Sequence, residues 1–317
     1  MVASIGFRRA LGPPESETRF VNARSALFDL YGDHLLSRGR QAPIAALVRL
    51  MAPLGISAPA VRTAVSRMTR QGWLQPVRLP AGAGYRLTPR AVQRLEQAAD
   101  RIYRRDPPSW DQRWHVVVVA DPVADRAARD RLRSGLRYLG YGRLDGSAWI
   151  SPRASVELSA LLSAEQVSAE CFHASYDGDS VALAARSWDL AVLADAYRQW
   201  LDMARQIVPA APGPGPGAAQ RPAEPSDEAI FAARTELVHQ WRKFLFVDPG
   251  LPAELLPAGW PGTEAAELFR TEAARLLPAA ARFVDCCLAA ASRAGERRPG
   301  RADSAMTDSA MTDKESP

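Results

Sequence analysis

Apolar residues recur at helical spacing along the first hundred residues, and turns rich in glycine and proline divide this part of the chain into short elements. The pattern predicts four helices, with two extended runs before the last one. The predicted helices cover 23–36, 43–53, 58–71 and 88–105, and the extended runs cover 73–79 and 85–88. A glycine-rich turn at 80–84 joins the extended runs, so they are expected to form a β-hairpin.

The third predicted helix has the clearest division between an apolar and a polar side. Ser57 is a suitable N-cap, and Pro59 lies in the first turn, where proline is tolerated. Val61, Val65 and Met68 form the stripe expected to be buried. The opposite side carries Arg62, Thr63, Ser66, Arg67 and Arg70. Three helices followed by a hairpin is the order of a winged helix-turn-helix, in which the third helix enters the major groove of DNA.

The middle of the chain alternates between strand and helix patterns. The predicted order is β-α-β-α-β, with strands at 113–120, 146–151 and 170–176 and helices at 125–139 and 155–162. This alternation over about 70 residues favours a small ferredoxin-like α/β domain. Beyond it, amphipathic patterns predict helices at 187–208, 227–246, 263–276 and 278–291.

These elements predict an α+β protein with three folded domains. A flexible N-terminus (1–22) precedes the winged helix-turn-helix domain (23–106), and the ferredoxin-like central domain follows (111–182). A helical C-terminal domain (186–291) is expected to bind an effector and to dimerise, with a Pro/Gly loop at 209–225. The polar tail at 292–317 is expected to be disordered.

Charge is distributed very unevenly along the chain. Residues 1–105 hold seventeen arginines, no lysine and six carboxylates, a formal charge of +11 in a chain whose total is +5. No acidic residue occurs between Asp33 and Glu96, where ten of the arginines lie. A segment with one sign of charge and none of the other is typical of phosphate binding. The alternative is a solvated basic face in a chain that uses arginine almost to the exclusion of lysine.

Within this basic segment, the third helix is the candidate reading element. A recognition helix contacts bases mainly with its N-terminal half. We therefore expect Arg62, Thr63 and Ser66 to contact bases, Arg67 to contact either bases or phosphate, and Arg70 to hold phosphate. The hairpin adds weaker candidates for backbone contact, which are Arg78, Tyr85 and Arg86. Tyr85 has an alternative role, which is to pack beneath the hairpin.

The rest of the sequence gives little support for catalysis. Asp121 follows a predicted buried strand and is a candidate metal ligand, but it has no evident partner carboxylates. His115 and His173 lie in predicted strands and could face each other, but core or surface histidines are commoner than a metal pair. No phosphate loop, nucleophile elbow or zinc-protease motif occurs. We predict that the protein is not an enzyme and has no metal or cofactor. The alternative is a metal-dependent nuclease that uses the central domain.

One group of residues in the C-terminal part suggests a ligand site. Basic and aromatic side chains near a rigid Pro/Gly turn could bind an anionic, partly apolar effector. The candidates are His239, Trp241, Arg242, Lys243 and Trp260. The alternative is an ordinary corner between packed helices with a solvated basic rim.

Three observations lead us to expect a cytoplasmic protein. No apolar run approaches the ~20 residues that cross a bilayer. The N-terminal residues lack the apolar core of a secretory signal. The three cysteines, Cys171, Cys286 and Cys287, are too few for a disulfide framework.

Three motifs together resemble the PaaX family, repressors of phenylacetic acid degradation operons. The first is Leu27-Phe-Asp-Leu-Tyr-Gly-Asp with Arg38-Gly nearby. The second is Ala60-Val-Arg-Thr-Ala-Val-Ser-Arg-Met, followed by Gly72-Trp-Leu. The third is Asp248-Pro-Gly-Leu-Pro with the later Leu255-Leu-Pro-Ala-Gly-Trp-Pro-Gly. The resemblance runs in order over about residues 23–290.

This resemblance implies a winged-helix head, a central domain similar to the small CRISPR adaptation endonucleases and a helical C-terminal domain. It also implies a homodimeric repressor that binds double-stranded operator DNA and is released by an aryl-CoA thioester, typically phenylacetyl-CoA. The reading roles fall on Arg62, Thr63, Ser66 and Arg67. No effector site can be carried over residue by residue. Nuclease activity is not implied, because Asp121 has no visible partners.

Overall fold

The structure is a computed structural model that describes residues 22–103, 109–120, 125–209 and 224–296. Within these ranges it contains ten α-helices and two antiparallel sheets, and the protein is therefore an α+β protein. The predicted flexible N-terminus, the Pro/Gly loop at 209–225 and the predicted disordered tail fall wholly or largely outside the described residues, and so does Asp121.

The N-terminal unit combines four helices with a small sheet of three strands in the order β1-β3-β2. Its helices are α1 (Ala23–Leu30), α2 (Ile44–Met51), α3 (Ala58–Arg70) and α4 (Pro89–Ile102), and its strands are β1 (Gln41–Pro43), β2 (Leu74–Leu79) and β3 (Gly82–Leu87). The four predicted helices and the hairpin are confirmed. The hairpin turn is shorter than predicted, because β3 begins at Gly82 and leaves only two residues between the strands.

Helix α1 continues without a break into one turn of π-helix, Tyr31–Leu35. The apolar residues that predicted this helix, among them Leu27, Leu30 and Tyr31, are almost completely buried. The wider π turn contains Asp33 and His34, both of which face other parts of the protein. Turns of this kind are rare and are frequently found at functional sites.

The central unit has the element order β-α-β-β-α-β around a four-stranded antiparallel sheet, in the strand order β5-β6-β4-β7. Its elements are β4 (Arg113–Val119), α5 (Arg126–Tyr138), β5 (Gly142–Asp145), β6 (Ala148–Ser151), α6 (Leu158–Ala164) and β7 (Ala169–Ser175). The sequence prediction was wrong in lacking β5. This strand is short and exposed beyond its first residue, so it has no apolar alternation to indicate it.

The C-terminal unit consists of helices α7 (Ser180–Ser187), α8 (Leu190–Ile207), α9 (Asp227–Trp241) and α10 (Pro261–Glu296). Two single-turn segments, Arg242–Phe246 and Ala253–Leu255, lie between α9 and α10. The prediction of separate helices at 263–276 and 278–291 was wrong, because α10 passes through Pro278. Pro278 and Ala274 are both exposed, so water can reach the carbonyl that the proline leaves without a donor.

The hydrophobic core of the N-terminal unit is completed by residues from the far end of the chain. Phe231 of α9 and three residues of α10, Ala280, Val284 and Cys287, are buried in the same cluster as the apolar faces of α1 to α4. The N-terminal unit and the C-terminal helices are therefore packed as one body. Within the described residues, no helix is both long enough and apolar enough to span a membrane.

Candidate nucleic-acid interface and the residues behind it

Helix α3 lies on the N-terminal unit with its polar side outward. Val61, Ala64, Val65 and Met68 are buried in the core. Ser57 occupies the N-cap position in an extended conformation, but its side chain makes no capping hydrogen bond. The opposite side of the helix presents the five predicted reading residues, all exposed: Arg62, Thr63, Ser66, Arg67 and Arg70.

The three arginines of α3 have no carboxylate partner within the described residues, whereas Arg38 and Arg40 of the same unit each have one. Arg38 pairs with Asp285, Nε to Oδ1 at 2.7 Å, and Arg40 reaches Glu96 at 3.2 Å. An unpaired, solvated guanidinium can form charge-assisted hydrogen bonds to phosphate or to a guanine edge without first breaking an ion pair. The exposed side of α3 is therefore chemically suited to an anionic partner.

The hairpin places its three candidate residues in different environments. Arg78 on β2 is exposed. Arg86 on β3 donates from Nε to the Gln41 side chain at 2.9 Å, which holds the guanidinium beside β1. Tyr85 is half-buried against the core, and its backbone carbonyl accepts a hydrogen bond of 2.9 Å from the Tyr31 hydroxyl. The environment of Tyr85 thus matches the alternative packing role.

The five candidate effector residues do not meet in one cavity. His239 and Arg242 both bind the buried carboxylate of Asp29, at 2.8 Å each. Trp241 and Trp260 line a cavity of about 460 Å³, in which Trp241 also stacks on Phe269 with ring centroids 4.7 Å apart. Lys243 is half-buried, and burial, with Arg242 nearby, lowers the pKa of its amine.

A second buried carboxylate joins the same two parts of the chain. Asp33, in the π turn, accepts hydrogen bonds from Arg234 Nη2 at 2.6 Å and from the Tyr103 hydroxyl at 2.7 Å. Arg234 also donates to the backbone carbonyl of Ala273 on α10. Burial alone would raise the pKa of Asp33, but the charge and hydrogen bonds of Arg234 outweigh it, and the pKa lies below its ordinary value.

Sequence reasoning missed this pair of carboxylates. Asp29 and Asp33 contribute to the charge balance and to the first of the three motifs, but neither was predicted to bind a cation, because their cations lie about 200 residues away. The one available signal was their spacing of four residues on an otherwise apolar helix, which places both on one face.

The central unit brings two histidines together without forming a metal site. His115 and His173 are opposite each other on β4 and β7, with ring centroids 4.9 Å apart. His115 Nδ1 is hydrogen-bonded to the Tyr141 hydroxyl at 2.8 Å. Burial, and then the proximity of His173, lower the pKa of His115. Across the described residues, no group of three histidine, cysteine or acidic side chains is placed to hold a metal ion.

The fold and this surface define an α+β protein with an exposed, unpaired arginine face on its N-terminal unit. Three family models match the chain in succession: "PaaX-like protein" at 22–91, "PaaX protein central Cas2-like domain" at 107–184 and "PaaX-like protein C-terminal domain" at 188–286. The chain is 30% identical over 272 residues to the "Transcriptional repressor PaaX" of Escherichia coli (strain K12), and the match covers 83% of each chain. This protein belongs to the PaaX family.

A solved structure shares the fold. The "Uncharacterized protein Rv0674 from Mycobacterium tuberculosis" superposes with a TM-score of 0.59 and 24% sequence identity. The superposition covers 84% of this chain and 98% of that one. The arrangement of units described above is therefore not peculiar to this sequence.

Proposed function

We propose that this protein is a DNA-binding transcriptional repressor that reads its operator with α3. The exposed side of α3, which carries three arginines without a carboxylate partner in the described chain, is the observation on which the proposal rests. The E. coli relative, which is named as a transcriptional repressor, supports the same function.

The N-terminal unit would act as a winged helix-turn-helix. Its order of helices, with a hairpin after α3, is that of this motif, and the hairpin lies beside the reading helix. Arg62, Thr63 and Ser66 would contact base edges, Arg67 would contact bases or phosphate, and Arg70 would hold phosphate. Arg78 and Arg86 would lie against the flanking backbone, while Tyr85 packs beneath the hairpin.

The other two units would serve assembly and control. The strand order of the central sheet, with its β-α-β-β-α-β sequence of elements, is typical of a ferredoxin-like domain. We infer a cytoplasmic homodimer, since two copies of α3 related by a twofold axis would read two half-sites. We further propose, as the sequence resemblance implies, that the protein controls an aromatic-acid catabolic operon and is released from DNA by an aryl-CoA thioester such as phenylacetyl-CoA.

A mobility-shift titration on the DNA upstream of the gene tests this function. We expect specific binding that exceeds binding to an unrelated duplex of equal length. Replacing Arg67 with alanine is expected to weaken binding by about 1–3 kcal/mol and to leave folding unchanged, because the side chain is exposed. Arg129→Ala is the matched control, since Arg129 is equally exposed but lies on α5.

Two results would contradict the proposal. One is unchanged operator affinity in Arg67→Ala and in Arg62→Ala. The other is equal affinity for the upstream DNA and the unrelated duplex, which would indicate a non-specific basic protein. Release of the complex by one acyl-CoA thioester among several would identify the effector in the same experiment.

A further inference from the structure

A cavity of about 390 Å³ lies where the three units meet. One wall comes from the N-terminal unit, with Phe28 of α1 and Trp73, the third residue after α3. The facing wall comes from Tyr138 at the end of α5 and from Phe246 after α9. Helix α4 closes the cavity between them, with small residues such as Ala98 on the inside.

The walls of this cavity suit a flat aromatic group. Phe28 and Trp73 meet edge to face with centroids 5.3 Å apart, and Tyr138 and Phe246 meet at 6.1 Å on the other side. Pockets for small ligands have volumes of about 300–1,000 Å³, and benzene occupies an engineered cavity of about 150 Å³. The cavity therefore has room for an aromatic ring with a short chain, but not for a whole coenzyme A.

The rim of the cavity is positively charged. Arg24 lies over the Phe28 ring at 5.6 Å and Arg94 over the Tyr138 ring at 5.4 Å. Neither arginine forms an ion pair within the described residues. The two carboxylates at the cavity, Asp29 and Asp33, already bind cations of α9 and the turn after it. An anionic tail that leaves the cavity would therefore meet guanidinium groups at the rim.

The same cavity is mechanically connected to α3. The backbone N–H of Trp73 donates to the carbonyl of Met68 in the last turn of α3, at 2.9 Å. Arg90, at the start of α4, covers the Trp73 ring at 4.8 Å. A ligand wedged between Trp73 and Tyr138 would change the tilt of the N-terminal unit, with the C-terminal helices packed into it, against the central unit. Such a ligand can release DNA only if it binds the two orientations of the N-terminal unit with different affinity.

We propose that this cavity is the effector site, and that it takes an aromatic acyl group whose phosphate-bearing tail lies along Arg24 and Arg94. This inference rests on the proposed function, because it assigns a place to the ligand that would release the repressor. It moves the site from the five residues that the sequence suggested to the junction between the N-terminal unit and the other two.

Filling the cavity tests the location. Ala98→Phe on α4 is expected to bind operator DNA as the native protein does. The phenylacetyl-CoA concentration needed for half-release is expected to rise about tenfold or more, because the side chain occupies the space for the ring. Gln97→Phe places the same side chain at the preceding, exposed residue of α4, outside the cavity, and is expected to respond normally. Equal response of both variants would overturn the proposal.

Calorimetry without DNA tests the chemistry of the ligand and does not depend on how Ala98→Phe folds. Phenylacetyl-CoA is compared with acetyl-CoA, which has the tail without the ring, and with phenylacetate, which has the ring without the tail. Arg94→Gln is expected to weaken the binding of phenylacetyl-CoA by about ten- to a hundredfold and to leave phenylacetate unaffected. Arg129→Gln is the control, because Arg129 is exposed and lies near the start of α5, at the opposite end from Tyr138.

The two tests separate this inference from the proposed function. Tight thioester binding that is lost in Arg94→Gln supports the site even if no operator is found. Operator binding with equal thioester affinity in Arg94→Gln and Arg129→Gln supports the repressor and overturns the site.

Discussion

His34 shows most directly how burial controls a single residue of this protein. The side chain is about 1% exposed and tilts against the Phe231 ring at 5.6 Å. Its Nε2 lies 3.2 Å from an Asp33 oxygen, yet neither ring nitrogen makes a hydrogen bond of good geometry within the described residues. Burial is the largest influence and lowers the pKa of His34, while Asp33 opposes that effect and Arg234 and Arg38 add to it.

A loss of stability below pH 6.5 follows from this lowered pKa. The unfolded chain takes up a proton on His34 near its ordinary pKa of about 6.5, and the folded protein does so only at lower pH. The contribution of His34 to stability is therefore complete above about pH 6.5 and decreases as the pH falls. Urea unfolding between pH 8 and pH 5 should give a slope of up to about 1.4 kcal/mol per pH unit.

His34→Gln is expected to remove most of that slope in the same titration. The pKa of His115 is lowered as well, so His115→Gln serves as the comparison and is expected to remove a smaller part. Asp33 also makes the folded protein less stable as the pH falls. Its effect begins only near pH 4, because the ordinary pKa of an aspartate is already low. An unchanged slope in His34→Gln would show that the folded protein takes up a proton on His34 as readily as the unfolded chain does, and would contradict the prediction.

At the scale of elements, the predictions from sequence were most accurate for helices in which one face is apolar over several turns. Helices α1 to α4 and α8 followed from their spacing, because burial of an amphipathic face decides a helix almost alone. Strands β1 and β5 were not predicted, because each has only three or four residues and is defined by its pairing with a neighbouring strand. The continuity of α10 through Pro278 depends on solvent exposure, which local sequence does not encode.

A related reason explains why the five candidate effector residues do not share one cavity. His239 and Arg242 have the chemistry of ligand-binding residues, but Asp29 binds both. That carboxylate is about 210 residues away in the sequence, so no spacing rule connects it with α9. The exposed face of α3, in contrast, is a local pattern and could be derived from the sequence.

Gly84 is a position at which the three-stranded sheet leaves no room for a side chain. A Cβ added there would contact the Leu79 side chain and lie 2.9 Å from the carbonyl oxygen of Ala42 on β1. We expect Gly84→Ala to destabilise the protein by about 1–3 kcal/mol, because the three strands must separate to admit the methyl group. Urea unfolding measures the effect, and Ala83→Ser, at the exposed neighbouring residue, is the control with little change expected. Equal stability of the two variants would contradict the prediction and show that β1 can shift to admit the methyl group at little cost in free energy.

At the scale of the whole molecule, the reading unit is not a separate module. Phe231, Val284 and Cys287 enter its core, and Arg234 and Arg242 neutralise its two buried carboxylates. We expect Phe231→Ala to cost about 3–5 kcal/mol and to lower the midpoint of the N-terminal and C-terminal units together. Intrinsic fluorescence and circular dichroism followed through urea unfolding would show one shared transition.

The control for this prediction is Phe172→Ala on the central sheet, where the ring is about half exposed and its loss should matter little. Separate transitions for the two units of Phe231→Ala would contradict a shared core.

The buried carboxylates of Asp29 on α1 and Asp33 in the π turn also limit how parts of such a protein can be exchanged with those of another protein. Asp29 and Asp33 would be left in apolar surroundings without a cation if residues 22–103 were grafted onto an unrelated body. A transferable DNA-reading unit would therefore have to include α9 and the second half of α10, which are distant in sequence from residues 22–103. A change of DNA target is better engineered, and more readily evolved, by substituting the exposed side chains of α3 in place.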